Sequence, residues 1–313
     1  MNKKPDILLK PDLGVTLAGV ELSNPVMTAS GTFGYGLEFD ELLDLRRLGG
    51  IVVKGLSMEP SKGNPPPRIV ETAGGMLNSI GLENIGVEAF VNEKMPFLRK
   101  IGVPVIANIY GKRVEEYAML AERLNDVQGI SFIEINISCP NVRAGGMAFG
   151  TDPDCAGDVV SSVRKKTSLP VIVKLSPNVS DIASIAKRAE AEGADVLSLI
   201  NTLAGMAIDI KTRAPKLGGV TGGLSGPAIK PVALKMVWET SRAVDIPLIG
   251  IGGIMTSDDA IEFLMAGATA VQVGSANFIN PHVTMDIIDG IETFLAEEKL
   301  NSPKDIIGAL KIP

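Results

Sequence analysis

The chain has 313 residues, of which 45% are hydrophobic and only 4% aromatic, and it carries a formal charge of -6 at neutral pH. Its lysines are scattered, so no basic face offers itself to a nucleic-acid backbone, and no apolar stretch approaches the roughly 18 residues of a membrane span. Residues Met1 to Lys10 hold charges without an apolar signal core, and a cytoplasmic, soluble protein is expected. The two cysteines, Cys139 and Cys155, are then expected to be free thiols. For the same reason the glycosylation triplets at Asn136 and Asn178 are discounted. Barrels of alternating strands and helices commonly run to about 250 residues as one domain, so a single domain over 1-313 with insertions is expected.

The opening, Ile7 to Leu22, sets Pro11, Gly14 and Gly19 between short apolar runs and reads as a hairpin under the fold. A pattern of apolar run, polar or glycine end, and helix then repeats. The runs are Asn24 to Ser30, Gly50 to Gly55, Val103 to Tyr110, Phe132 to Cys139, Pro170 to Ser176, Val196 to Thr202, Pro247 to Gly253 and Ala270 to Ser275. Helical spacing of apolar residues predicts helices over Phe39 to Leu48, Val87 to Lys100, Val114 to Leu124, Pro153 to Lys166, Ile182 to Glu192, Ala228 to Val244, Ser257 to Ala266 and His282 to Lys299. The alternation predicts an α/β TIM (β/α)8 barrel with insertions after strands 2, 4 and 6, the long ones being Leu56 to Gly86 and Leu203 to Pro227. A doubly wound open sheet shows the same alternation. It would need an early glycine-rich phosphate turn, whereas here the glycine-rich ends come last, as Gly252-Gly253 and Gly274-Ser275.

Chemistry collects at the C-terminal ends of the runs: Ser30, Lys54, Asn108, Asn136, Cys139, Lys174, Asn201, Thr202, Gly252, Gly253, Gly274 and Ser275. The set is rich in donors and holds no carboxylate, which favours an anionic ligand and no metal. The stretch Glu134 to Asn141 is its centre. Pro140 ends a buried strand there, and the glycine-bearing loop Asn141 to Gly150 has the length of a lid. Glu134 is read as pairing with a basic neighbour inside the barrel or capping it, Cys155 as a small core residue, His282 as part of a helix start, and Gly63 to Arg68 as a rigid turn or a means of aiming Arg68 at the entrance.

Five motifs carry a resemblance: Asn24-Pro25-Val26-Met27-Thr28-Ala29-Ser30-Gly31, Asn78-Ser79-Ile80-Gly81-Leu82, Asn136-Ile137-Ser138-Cys139-Pro140-Asn141, Val173-Lys174-Leu175-Ser176-Pro177 and Ile249-Gly250-Ile251-Gly252-Gly253-Ile254. In this order they resemble the dihydroorotate dehydrogenases. Cysteine at 139, where the quinone-linked membrane branch has serine, indicates the soluble class 1, and the run Thr28 to Gly36 is most similar to the NAD-linked subclass (class 1B).

The resemblance implies FMN over the barrel mouth, its phosphate on Gly226, Gly252, Gly253, Gly274 and Ser275. Ser30, Lys54, Gly55, Asn108, Asn136, Lys174 and Ile200 would surround the ribityl chain and ring. It implies a pyrimidine-pathway substrate, dihydroorotate, read by Lys54, Asn78, Ser79, Ile80, Gly81, Leu82, Asn136, Asn201 and Thr202, with Cys139 as the catalytic base. Two cysteines are too few for an iron-sulfur cluster, so the resemblance implies a partner subunit with FAD and an iron-sulfur cluster that relays electrons to NAD. The assembly would be a heterotetramer built on a homodimer of this chain. A homodimer using fumarate, a lysine Schiff-base aldolase and a non-enzymatic scaffold barrel are the other readings weighed.

Overall fold

The computed structural model describes residues 10-137, 143-144 and 147-312. Eight parallel strands form one sheet: β1 (Val26–Thr28), β2 (Ile51–Val52), β3 (Val105–Ile109), β4 (Ile130–Asn136), β5 (Val171–Leu175), β6 (Val196–Leu199), β7 (Leu248–Ile251) and β8 (Ala270–Val273). The sheet runs in chain order from β2 to β8, and β8 then pairs with β1. Closure comes from a parallel bridge between Met27 and Gly50, with the Thr28 amide donating to Gly50 O at 3.3 Å. Helices lie between successive strands, as a right-handed parallel crossover requires. The barrel expectation is met.

The period of two explains the interior. Inward residues at the lower end are apolar: Met27, Val52, Ile106, Phe132, Ile172, Val196, Ile249 and Ala270 belong to one buried cluster with Val15, Leu17 and Leu22. Those last three come from the antiparallel hairpin Val15–Leu17 and Val20–Leu22, which plugs the bottom of the barrel. Residues 7-9 of the expected hairpin segment lie outside the described residues. One step of two further up, five of these strands turn polar: Asn108, Glu134, Lys174, Ser198 and Gln272 are all buried. The outward faces pack against the helices in a second, larger apolar cluster.

Two expectations about elements are revised. The span Phe39 to Leu48 is not one helix but two short 3-10 turns, Leu37–Phe39 and Leu45–Arg47. Asp44 accepts from the Arg46 amide at 3.2 Å and so starts a new turn inside the apolar run, while Leu43, Leu45 and Leu48 are buried. The span Val87 to Lys100 is helical but compound: Val87–Ala89 and Met95–Ile101 are α-helical, and Phe90–Lys94 between them is wound as a π helix. The remaining helices keep their places, and His282 precedes Val283–Glu297 at the N-cap position without a side-chain capping bond.

The two long insertions do something the sequence pattern does not announce. Ile69–Thr72 and Gly75–Asn78 from the first pair with Leu203–Gly205 and Gly222–Ser225 from the second in one four-stranded antiparallel sheet. The insertion after β4 forms a short antiparallel pair, Arg143–Ala144 with Met147–Ala148.

Phe132 is fully buried in the lower barrel layer. Phe132→Ala is expected to cost about 3–5 kcal/mol in denaturant unfolding, whereas Ile210→Ala, at a side chain 86% exposed, is expected to change stability by less than about 0.5 kcal/mol.

Candidate active site

A cavity of about 720 Å3 opens above the polar layer, within the usual range for a small-molecule site. Every residue named above for cofactor or substrate lines it, except Cys139, which with Ser138, Pro140, Asn141 and Val142 lies outside the described residues. The structure therefore gathers these side chains in one place, though they come from all eight strand ends and both long insertions.

One end of the cavity is glycine. Gly226, Gly252 and Gly253 have φ of +99°, +124° and +74°, a region that only glycine enters without strain. A Cβ on Gly253 would stand 2.7 Å from Lys230 Cβ and 2.8 Å from Lys230 N, and one on Gly226 would stand 2.6 Å from Gly75 Cα. Side chains are excluded, so backbone amides remain to face a ligand. Behind this end the Lys230 ammonium meets Asp259 at 2.6 Å and Glu262 at 2.9 Å. Asp259 also accepts from the Met255 and Thr256 amides in the capping box of helix Ser257–Met265.

The other end is a rim of amides held in place from outside. Asn201 Nδ2 donates to Asn136 Oδ1 at 3.3 Å, and Asn201 Oδ1 accepts from the Thr202 amide at 2.8 Å. Asn78 Nδ2 donates to Gly223 O at 3.2 Å, tying the first insertion to the second. The segment Ser79 to Leu82 is pinned by Asn64, whose amide N donates to Ile80 O and whose side chain donates to Ser79 O and Oγ. The Tyr110 hydroxyl and Asn84 Nδ2 both donate to Leu82 O. The turn is thus held by hydrogen bonds from Asn64, Asn84 and Tyr110.

Two lysines supply positive charge. Lys174 is buried and donates to Ser30 Oγ at 3.3 Å. Lys54 Nζ lies 4.0 Å from Glu83 Oε2, and Glu83 is held by Arg68 at 2.7 Å. Arg68 also donates to Asn64 O and Lys62 O and does not line the cavity, so of the two readings of Gly63 to Arg68 the structural turn is the one observed.

Sequence reasoning passed over several participants. Asn178, set aside as a glycosylation triplet, lines the cavity; its Nδ2 donates to Thr202 O at 3.0 Å and its Oδ1 accepts from the Ala204 amide at 2.8 Å. Its place after Ser176-Pro177 at a strand end was the available signal. Glu134, expected to pair with a basic neighbour inside the barrel or to cap it, is a correction rather than an omission. Its hydrogen-bond donors are not basic: Asn108 Nδ2 at 2.5 Å, Ser198 Oγ at 2.8 Å and Gln272 Nε2 at 2.9 Å. Cys155 is half-buried at the start of helix Pro153–Arg164, and burial, helped by the Asp152 carboxylate, pushes its thiol up, away from the thiolate. No group of His, Cys, Asp and Glu among the described residues could hold a metal, and no helix there is long and apolar enough to cross a membrane.

Residues 12–295 match the family described as Dihydroorotate dehydrogenase. A Geotalea uraniireducens protein named "Dihydroorotate dehydrogenase B (NAD(+)), catalytic subunit" is 60% identical over 301 residues, covering 96% of this chain and 99% of its own. Proteins with the same name from Geotalea daltonii and Geobacter sulfurreducens are each 59% identical, over 305 and 303 residues; each alignment covers 97% of this chain, and 100% and 99% of theirs.

The Lys230 and Asp259 pair behind the glycine end should be visible in acid. Burial pulls the Asp259 carboxyl up, but the Lys230 hydrogen bond and the two backbone amides outweigh it and hold the group below its ordinary value. The Asp259 bond pushes Lys230 up. The aspartate's contribution is thus complete above its unfolded value near about 4 and fades as pH falls through the folded one; that of the lysine is complete below about 10 and fades above its own. Asp259→Asn is expected to cost about 1–3 kcal/mol near neutral pH and to flatten stability loss below about pH 4, as read by urea unfolding across pH.

Proposed function

The chain belongs to the dihydroorotate dehydrogenase family, and from that premise we propose that it oxidises dihydroorotate to orotate for pyrimidine synthesis with FMN in the cavity, electrons leaving for NAD. The observation that carries this reading is the composition of that one cavity, with a glycine cradle at one end and an amide rim with two lysines at the other. The glycine end suits a phosphate, since a Cβ at Gly226 or Gly253 would collide with the surrounding backbone. Asn108 Oδ1, buried and without a hydrogen-bond partner in the described structure, suits a donor on the ligand.

FMN bound there supplies the two-electron acceptor for the hydride that leaves the substrate. The chain's residues do the rest. Gly226, Gly252, Gly253, Gly274 and Ser275 hold the phosphate, while Ser30, Gly55, Asn108, Lys174 and Ile200 border the ribityl chain and ring. Asn78, Asn136, Asn201 and Thr202 each offer donor and acceptor atoms, matching a pyrimidine ring of alternating C=O and N–H. Lys54 and the turn Ser79 to Leu82 receive the substrate carboxylate. Cys139 follows Ile137, a cavity residue, by two positions; as thiolate it takes the proton from the carbon next to the substrate carboxamide carbonyl. A free thiol titrates near about 8.5, so the site either lowers that value or works best in mildly alkaline solution.

The NAD(+) in the relatives' names favours NAD over fumarate as final acceptor, and "catalytic subunit" favours a partner chain. That partner carries FAD and an iron-sulfur cluster, in a heterotetramer around a dimer of this chain.

Anaerobic dihydroorotate is expected to bleach the yellow FMN-loaded protein. Cys139→Ala should retain FMN yet slow the bleaching by at least about 100-fold; near-normal reduction would remove Cys139 from the mechanism. The purified chain with NAD alone should turn over little, and efficient NADH formation without a partner would refute the partner requirement.

A further inference from the structure

Glu134 is wholly buried, and its two oxygens serve three other strands, the adjacent β3 and, across the barrel, β6 and β8. Oε2 takes Asn108 Nδ2 of β3 at 2.5 Å, while Oε1 takes Ser198 Oγ of β6 at 2.8 Å and Gln272 Nε2 of β8 at 2.9 Å. Asn108 and Glu134 are register partners, so they stand side by side on the inner face. A carboxylate oxygen accepts and an amide NH2 only donates. Asn108 must therefore turn its nitrogen down to Glu134 and its oxygen away. That oxygen is buried and unpartnered among the described residues, and it lies 2.9 Å from where a Cβ of Gly55 would stand. Both residues line the cavity. Gln272 is turned by the same acceptor and its Oε1 is likewise unpartnered, but Gln272 does not reach the cavity.

We propose that Glu134 is a positioning residue that decides which atom Asn108 offers the cavity: by occupying the amide nitrogen from below, it leaves Oδ1 to accept from a hydroxyl or ring N–H of the ligand. The inference rests on the flavin reading only for the identity of that ligand. A leucine at 134 shows how the device works. It accepts no hydrogen bond, so nothing holds the Asn108 nitrogen down. The amide is then free to turn over and set a nitrogen against the ligand's own donor.

Glu134→Leu is therefore expected to raise the FMN dissociation constant by about tenfold, a factor typical of a hydrogen bond turned into a mismatch, and to shift the bound flavin's visible spectrum. Gln272→Met removes a donor to Glu134 without touching Asn108, and is expected to stay within about twofold of wild type in FMN binding. In an Asn108→Ala background, Glu134→Leu should add nothing further; full additivity, or unchanged binding in the single variant, overturns the proposal. A measurement on the wild-type protein covers the case in which Glu134→Leu fails to fold. Its Asn108 side-chain amide protons should exchange slowly with water even without FMN, and rapid exchange there overturns the proposal as well. Failure of the wild-type protein to bind FMN at all would sink the flavin reading, while the exchange rate would still decide what holds Asn108.

Discussion

The constraint on which this protein depends is a change of polarity along the inner faces of its strands. Each strand points every second residue inward, and on five of them those residues pass from apolar to polar within one step: Ile106 to Asn108, Phe132 to Glu134, Ile172 to Lys174, Val196 to Ser198, Ala270 to Gln272. The lower layer is sealed by the hairpin and supplies hydrophobic stabilisation. The upper layer cannot be left unpaired, because a buried polar group without a partner is costly. Glu134 resolves most of that demand by gathering donors from three other strands; of the two layer oxygens left unpaired among the described residues, Asn108 Oδ1 and Gln272 Oε1, the first borders the cavity.

Above that layer, the mouth is shaped by segments remote in sequence. The antiparallel sheet made by the two insertions joins Asn78 to Gly223 across 145 positions. It presents the turn Ser79 to Leu82 over the barrel with its backbone already bonded to Asn64, Asn84 and Tyr110. Rigid strands below and a tied turn above leave a gap suited to flat molecules stacked on one another. At the opposite end, the glycines after β7 lie against Lys230, which is fixed by Asp259, so the glycine end of the cavity is shaped by a charge pair behind it.

Where sequence and structure part, the cause is local competition or distant pairing. Asp44 broke an apolar run into two turns because a short carboxylate captures a backbone amide more readily than a helix would. Arg68 looked able to reach the entrance, yet three acceptors on its own insertion hold it. Asn178 matched a modification triplet, but its side chain links the end of β5 to the segment after β6.

The residue order by itself determined the strand count, the chain direction of the barrel and the identities of the polar residues at the strand ends, because a period of two and the stop at glycine or proline are written locally. The family motifs were equally legible, being contiguous. Only the tertiary structure decided that two insertions make one sheet, and that Glu134 answers to amides and a hydroxyl instead of a basic side chain. The reason is physical: hydrogen bonds between β3, β4, β6 and β8 depend on how a closed sheet brings its strands across the barrel, and no local pattern in the chain encodes which donors will meet there.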